Sequence, residues 1–238
     1  MHPASTMHPA TTLHPATAFK GDQGLSLQRT METESTIPGA ASACRLEFSS
    51  RGDRVPTLFV TPQGKGPHST VVIVHSAGSS KSALELDLAG FVAAGHATLT
   101  IDLPLHGERS SSKLTECLLA AIRGGARDAN TTSLLAQFAR QSESDVRSAL
   151  DLALTLPDLD ADRIGLAGVG VGALFAARVG ADDPRPVALA LAGMPTADLP
   201  QPLDASRHVD RIAPRPLLQI ETDGDEMKTM ADFFATSL

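Results

Sequence analysis

The residues best placed to organise chemistry are closely spaced glycines behind a short apolar run. Gly168-Val-Gly170-Val-Gly172-Ala173 follows Ile164-Gly-Leu-Ala and leads into Leu174-Phe-Ala-Ala-Arg-Val179, so the stretch reads as strand, sharp turn, helix. Such a turn brings backbone close to backbone and demands positive φ, where a Cβ would clash. Two chemistries use it. A nucleophile elbow, G-x-S-x-G, lifts a serine above a parallel sheet. A dinucleotide loop, G-x-G-x-x-G/A, presents backbone N–H groups to a pyrophosphate. The second pattern fits literally. The first fits everywhere except at Gly170, which stands where the serine belongs. The dinucleotide reading also requires an acid at the end of the next strand. That strand, Pro186 to Leu191, runs on into Ala192 and Gly193, and the nearby acids Asp182 and Asp183 precede it.

Other reactive side chains are scattered. His75 and His106 fall on loops after apolar runs, and loop-shaping roles are expected of both. Asp102 is expected to hold its loop by bonding backbone N–H groups. Ser76, Ser79 and Ser80 read as caps for the helix that follows them. Cys117, between Glu116 and Leu118, reads as a small buried hydrophobe. His2, His8 and His14 recur in a hexapeptide repeat, Met1-His-Pro-Ala-Ser-Thr and its two copies, which is a loose metal-binding pattern at most.

Elements must hold these residues in place. Residues 1–40 read as a disordered low-complexity arm, because recurrent prolines block helix and little apolar surface is available to bury. Residues 41–238 read as one domain. Arg45–Phe48 and Pro56–Thr61 form a hairpin, Ser69–His75 a strand buried on both faces, and Ala83–Ala94 a helix closed by Gly95. Ala97–Ile101 is the next strand. Leu114–Ile122 and Ser133–Ala139 are expected as two short helices, and Ser142-Glu-Ser-Asp145 has capping-box spacing for a third that buries Val146, Ala149, Leu150, Ala153 and Leu154. Pro186–Leu191 and Pro216–Glu221 are strands, and Met227–Leu238 is a terminal helix. This alternation predicts an α/β fold, a doubly wound and mostly parallel sheet of about six or seven strands with its site at the strands' carboxyl ends.

Composition narrows the classes. The 238 residues hold no Trp or Tyr and eight Phe, and the formal net charge is −7. Neither base-stacking surfaces nor a basic face for phosphates are available, so no nucleic-acid partner is expected. Two cysteines without ligand spacing point to a reduced, cytoplasmic setting. No apolar run approaches the ~20 residues of a membrane span, so no membrane partner is expected.

In that order the segments resemble the α/β-hydrolase superfamily, in its dienelactone-hydrolase-like and acetyl-esterase-like branch. The resemblance is carried by Val71-Val-Ile-Val-His-Ser-Ala-Gly78, Ile101-Asp-Leu-Pro-Leu-His-Gly-Glu108, Asp158-Leu-Asp-Ala-Asp-Arg-Ile-Gly-Leu-Ala-Gly168, Arg211-Ile-Ala-Pro-Arg-Pro-Leu-Leu218 and Asp223-Gly-Asp-Glu226. It implies serine ester hydrolysis without a cofactor. The nucleophile position falls on Gly170, the acid position on Asp225, and the oxyanion N–H groups on Ala77 and Val171. The family's histidine follows a further helix and strand, for which the sequence after Asp225 leaves no room. With serine and histidine both lacking, a pseudoenzyme is expected. Its cleft would take a small ester or carboxylate ligand, and the uncovered edge of the 216–221 strand would favour a homodimer or poor solubility. A ligand-binding or scaffolding module and an NAD(P)-binding oxidoreductase remain the alternatives.

Overall fold

Alternating apolar segments of the chain assemble around one central sheet. A computed structural model describes residues 18–20, 26–33, 37–124, 128–195, 203–222 and 224–238. Its strands are β1 (Ala18–Lys20), β2 (Ser26–Thr33), β3 (Ala40–Ser50), β4 (Asp53–Pro62), β5 (His68–Val74), β6 (Ala97–Ile101), β7 (Leu159–Val169), β8 (Pro186–Ala192) and β9 (Leu217–Ile220). The helices are α1 (Ala89–Ala93), α2 (Ser112–Gly124), α3 (Ala129–Ala153), α4 (Val171–Asp182), α5 (Ser206–Val209) and α6 (Glu226–Ser237). The sheet order is β1-β2-β3-β4-β6-β5-β7-β8-β9. From β6 to β9 every pairing is parallel, whereas β1 to β4 pair antiparallel and β4 joins β6 antiparallel. The α/β class and the mostly parallel sheet expected from the sequence hold over β3 to β9, and the backbone of β1 and β2 extends that sheet beyond β3. The rest of the expected arm (residues 1–17, 21–25 and 34–36), with His2, His8 and His14, lies outside the described residues.

Side-chain alternation explains the two covered faces. Successive residues of a strand point to opposite sides. Val72 and Val74 of β5 therefore join Leu99 and Ile101 of β6 against Phe138, Val146 and Leu150 of α3 and Phe175 of α4. Val71 and Ile73 face the other way, with Ala188 and Ala190 of β8, against Phe91 of α1 and Met230 and Phe234 of α6. All seven residues of β5 are buried, as its β-branched run requires.

Two helix expectations need correction. The segment 133–154 is not two helices: α3 runs unbroken for 25 residues from an N-cap at Asp128, whose carboxylate accepts from the Thr131 N–H at 2.9 Å. Ser142 and Asp145, which have capping-box spacing, instead lie buried within it. A partner from another segment satisfies Asp145: Arg109 Nη1 donates to it at 2.6 Å, and Gln141 Nε2 at 2.8 Å. The expected helix 83–94 is a 3₁₀ turn at Glu85–Leu88 followed by the short α1.

Candidate functional site

Strand β5 is flanked by β6 on one side and β7 on the other, so the crossover from β5 to β6 and the one from β6 back past β5 to β7 run in opposite directions. A crevice opens at such a point, outside the carboxyl ends of the strands. The loops that meet there are Ser76–Ser80, after β5, and the glycine turn between β7 and α4.

The turn has the geometry of an elbow. Gly170 sits at φ 56°, ψ −121° as the N-cap of α4, in a region that side chains rarely occupy. Its N–H donates to Ala192 O at 2.8 Å, which ties the bend to the end of β8, and its carbonyl accepts from the Ala173 N–H at 3.0 Å. The flanking glycines let the helix approach the sheet. A Cβ on Gly168 would stand 2.5 Å from Gly172 O, and one on Gly172 would overlap Val74 O and stand 2.5 Å from His75 O. The turn therefore has the backbone of an elbow, with glycine at its tip.

The space at that tip is not empty. A Cβ on Gly170 would overlap Ser76 Oγ outright, while lying 3.0 Å from Ser76 Cβ and 3.7 Å from Ser76 Cα. The distances grow back along the Ser76 side chain, so its hydroxyl is the tip aimed at the elbow. The structure thus brings Gly170, Val171, Ser76 and Ala77 to one place. Among the described residues the N–H groups of Ala77 and Val171 have no acceptor, and Ser76 Oγ has no hydrogen-bond partner. Two free backbone donors and one hydroxyl suit the oxygen of a carbonyl or carboxylate.

The neighbouring histidines are fully engaged or sealed. His75 is buried; its Nδ1–H donates to Ser76 O at 2.8 Å and its Nε2 accepts from the Leu103 N–H at 3.0 Å. Burial pushes its pKa down to about 4. His106 donates from Nδ1 to Pro104 O at 2.8 Å, its ring centroid lies 5.3 Å from that of His75, and burial lowers its pKa as well. Its Nε2 is buried without a partner among the described residues. Both serve as loop residues, as expected. Asp102 also holds its loop through backbone bonds, accepting from the N–H of Lys81 at 2.8 Å and of Glu108 at 3.0 Å. Gly107 is obligatory beside it, because a Cβ there would overlap the Asp102 carboxylate.

Sequence reasoning missed Lys81. Its side chain is 2% exposed, and its ammonium reaches Asp102 Oδ2 at 2.9 Å and Glu108 Oε1 at 2.5 Å. The one available signal was a solitary lysine among the serines that open an otherwise apolar segment. Ser76 does not cap as expected: its hydroxyl has no partner among the described residues and is aimed at the elbow. Ser80 does cap, accepting from the Ala83 N–H at 3.2 Å. Cys117 is exposed on α2, not buried as expected of a small hydrophobe on an apolar helix, because Leu118 and Ala121 form the buried face of that helix.

Asp225 follows β9 in the chain. It is the N-cap of α6, exposed, and lines a cavity of about 650 Å³ with Asp87 and Gly90 of the α1 region and Met227, Lys228 and Ala231 of α6. None of the elbow residues lines that cavity. A second cavity of about 600 Å³, walled by Leu105, Leu114, Leu134 and Phe138, opens beside Arg109 and also excludes the elbow. Among the described residues no three His, Cys, Asp or Glu side chains converge as a metal site, and no helix is long and apolar enough to cross a membrane.

Comparison with known proteins gives this architecture its context. Residues 71–236 match the model of the alpha/beta hydrolase family. No curated protein matches the chain. Among solved structures, the 2,6-dihydroxy-pseudo-oxynicotine hydrolase superposes with a TM-score of 0.61 at 19% identity, covering 82% of this chain and 68% of that one. Acetyl xylan esterase 1 from Thermoanaerobacterium gives 0.55 at 17%, covering 91% and 68%. A cold-adapted esterase from an Arctic intertidal metagenomic library gives 0.57 at 14%, covering 87% and 97%. At such identities these likenesses speak for the fold, whereas the family match spans well over half of the sequence: the chain belongs to the alpha/beta hydrolase family.

Proposed function

We propose that this is an α/β-hydrolase-fold protein of serine ester hydrolase ancestry, close to the acetyl-esterase-like branch, that turns over esters little or not at all. The observation that carries the reading is Gly170: an elbow with its strained backbone intact, no side chain at its tip, and the Ser76 hydroxyl in the Cβ space. Efficient turnover through an acylated serine needs an oxygen nucleophile and a base within hydrogen-bond reach of it. Position 170 offers no oxygen, and His75, the imidazole of the adjoining loop, has both nitrogens committed. Asp225 occupies the acid position of the family pattern on the strength of its loop alone. The oxyanion N–H groups of Ala77 and Val171 remain, and they favour a small ester or carboxylate as a bound ligand. Cys44 and Cys117, thiols and not a disulfide, fit a reduced, cytoplasmic setting.

The oxidoreductase reading loses support at the same atom. A dinucleotide loop keeps its second glycine open to a pyrophosphate, and here the Ser76 hydroxyl lies over Gly170. The test is steady-state hydrolysis of p-nitrophenyl acetate, alongside thermal shift with NAD(P) and with short carboxylates. No multiple turnover and no shift with NAD(P) are expected. Sustained turnover that Gly170→Val abolishes would overturn the proposal.

A further inference from the structure

Ser76 stands over a glycine elbow with its hydroxyl at the tip, no hydrogen-bond partner among the described residues, and partial access to solvent. We propose that Ser76 is an acyl acceptor: an activated ester seated at the elbow acylates its Oγ once, and the product persists. The inference rests on the reading above, that the site lacks turnover.

The chemistry balances without a cofactor. Ser76 Oγ attacks the carbonyl carbon of an aryl ester, forming one C–O bond while the bond to the aryloxide breaks. The hydroxyl proton ends on the departing phenolate, relayed by water. The N–H groups of Ala77 and Val171, which have no acceptor among the described residues, are the backbone donors next to Ser76 and Gly170 that the carbonyl oxygen can use as it turns negative in the tetrahedral intermediate. Such donors act where charge develops and need no reorganisation, and the positive end of the twelve-residue α4 lies on the same side. Deacylation is a different matter. It needs water activated by a positioned base, and His75 is committed through both nitrogens while Nε2 of His106 is sealed from solvent. A slow first step followed by a slower second one leaves a stoichiometric ester.

Two other loop serines supply an internal control. Ser79 and Ser80 share the loop and its solvent, but Ser80 Oγ already serves as a cap and neither lies against the elbow in the way Ser76 does. The experiment incubates the full chain with p-nitrophenyl acetate and follows intact mass and peptide maps. The Cys117→Ser variant is used so that the exposed thiol does not compete. One acetyl per chain is expected on Ser76, ahead of Ser79 and Ser80. It should be lost in Ser76→Ala, form faster in Ser76→Cys, and be lost in Gly170→Ala, where a Cβ displaces the hydroxyl while Ser76 itself remains. Thermal melts verify that each variant is folded.

Acetyl spread evenly over the three serines, or confined to lysines, would overturn the proposal. So would a Ser76 adduct undiminished in Gly170→Ala. Multiple turnover would instead overturn the absence of hydrolysis argued above, so the two failures are distinguishable.

Discussion

Two neighbouring loops at the carboxyl edge of the sheet are built in opposite ways. The elbow between β7 and α4 contains no charge and depends on backbone: three glycines, a fixed positive φ, and carbonyls packed where side chains cannot go. The loop after β6 depends on buried charge. Asp102, 0% exposed, gathers Lys81 and two backbone N–H groups, and Arg109 bridges Asp102 O and the fully buried Asp145. The difference shows what is dispensable. A backbone device keeps its shape with no side chain at its tip, because none of its packing uses one. A charge network does not survive the loss of a member, because each remaining charge is then buried without its counterpart.

The largest effect should therefore fall on the charged loop. Asp102→Ala leaves the Lys81 ammonium with Glu108 alone and strips two N–H groups of their acceptor. Breaking a buried pair from one side costs about 3–5 kcal/mol. Urea unfolding at pH 7 should show that loss, whereas Lys81→Met/Asp102→Leu, which removes both charges, should recover part of it. A cost for Asp102→Ala below about 1 kcal/mol, well under the range for a broken buried pair, would mean that this loop, like the elbow, is held by its backbone.

The next effect is set by protonation. Folded His75 titrates near pH 4, below the ordinary 6.5, because burial disfavours the imidazolium. Between those values the unfolded chain binds a proton that the folded chain does not. Stability is therefore fully present above about pH 6.5 and falls as pH drops towards 4, by up to about 3 kcal/mol for the full interval. Burial lowers His96 and His106 too, in the same sense. Unfolding free energies measured from about pH 7.5 to about pH 4.5 should slope this way, and His75→Gln, which keeps a donor and an acceptor, should flatten the slope. An unchanged slope would place the titration elsewhere.

The two loops also differed in how far the sequence disclosed them. The elbow was legible because glycine spacing encodes backbone geometry directly: Gly168, Gly170 and Gly172 each mark a close approach that the structure contains. Strands β5 to β9 were legible because apolar runs bounded by turn residues have few other readings. The charged loop was opaque. Lys81, Asp102, Glu108, Arg109 and Asp145 come from three separate stretches, and a lysine in a chain carries no mark of being buried. The same partnership hid the length of α3: Ser142 and Asp145 have capping spacing, and the arrival of Arg109, with Gln141, makes a carboxylate tolerable at a buried position of the helix. Ser76 was misleading for another reason. Serine after a strand is usually a cap, and its relation to Gly170 joins two loops far apart in the sequence.

That relation gives the finest test of the elbow. Gly170→Ser completes the G-x-S-x-G pattern, yet its Cβ overlaps Ser76 Oγ and the residue must adopt a φ of 56°. The strained backbone alone costs about 1–3 kcal/mol, and the displaced hydroxyl adds to it. Ser76→Ala removes the overlap but leaves a Cβ at 3.0 Å, tighter than ordinary contact, whereas Ser76→Gly clears the site. Gly170→Ser should therefore cost most with Ser76 in place, less in the Ser76→Ala background and least in the Ser76→Gly background, once each background change is subtracted. Residues in contact couple by about 0.5–3 kcal/mol, and independent ones add within about 0.5 kcal/mol. Additivity across this cycle would remove Ser76 from the elbow, and with it the acyl-acceptor proposal. Coupling without recovered esterase turnover would show that the two serines compete for one place, and that a restored alcohol still lacks an imidazole free to take its proton.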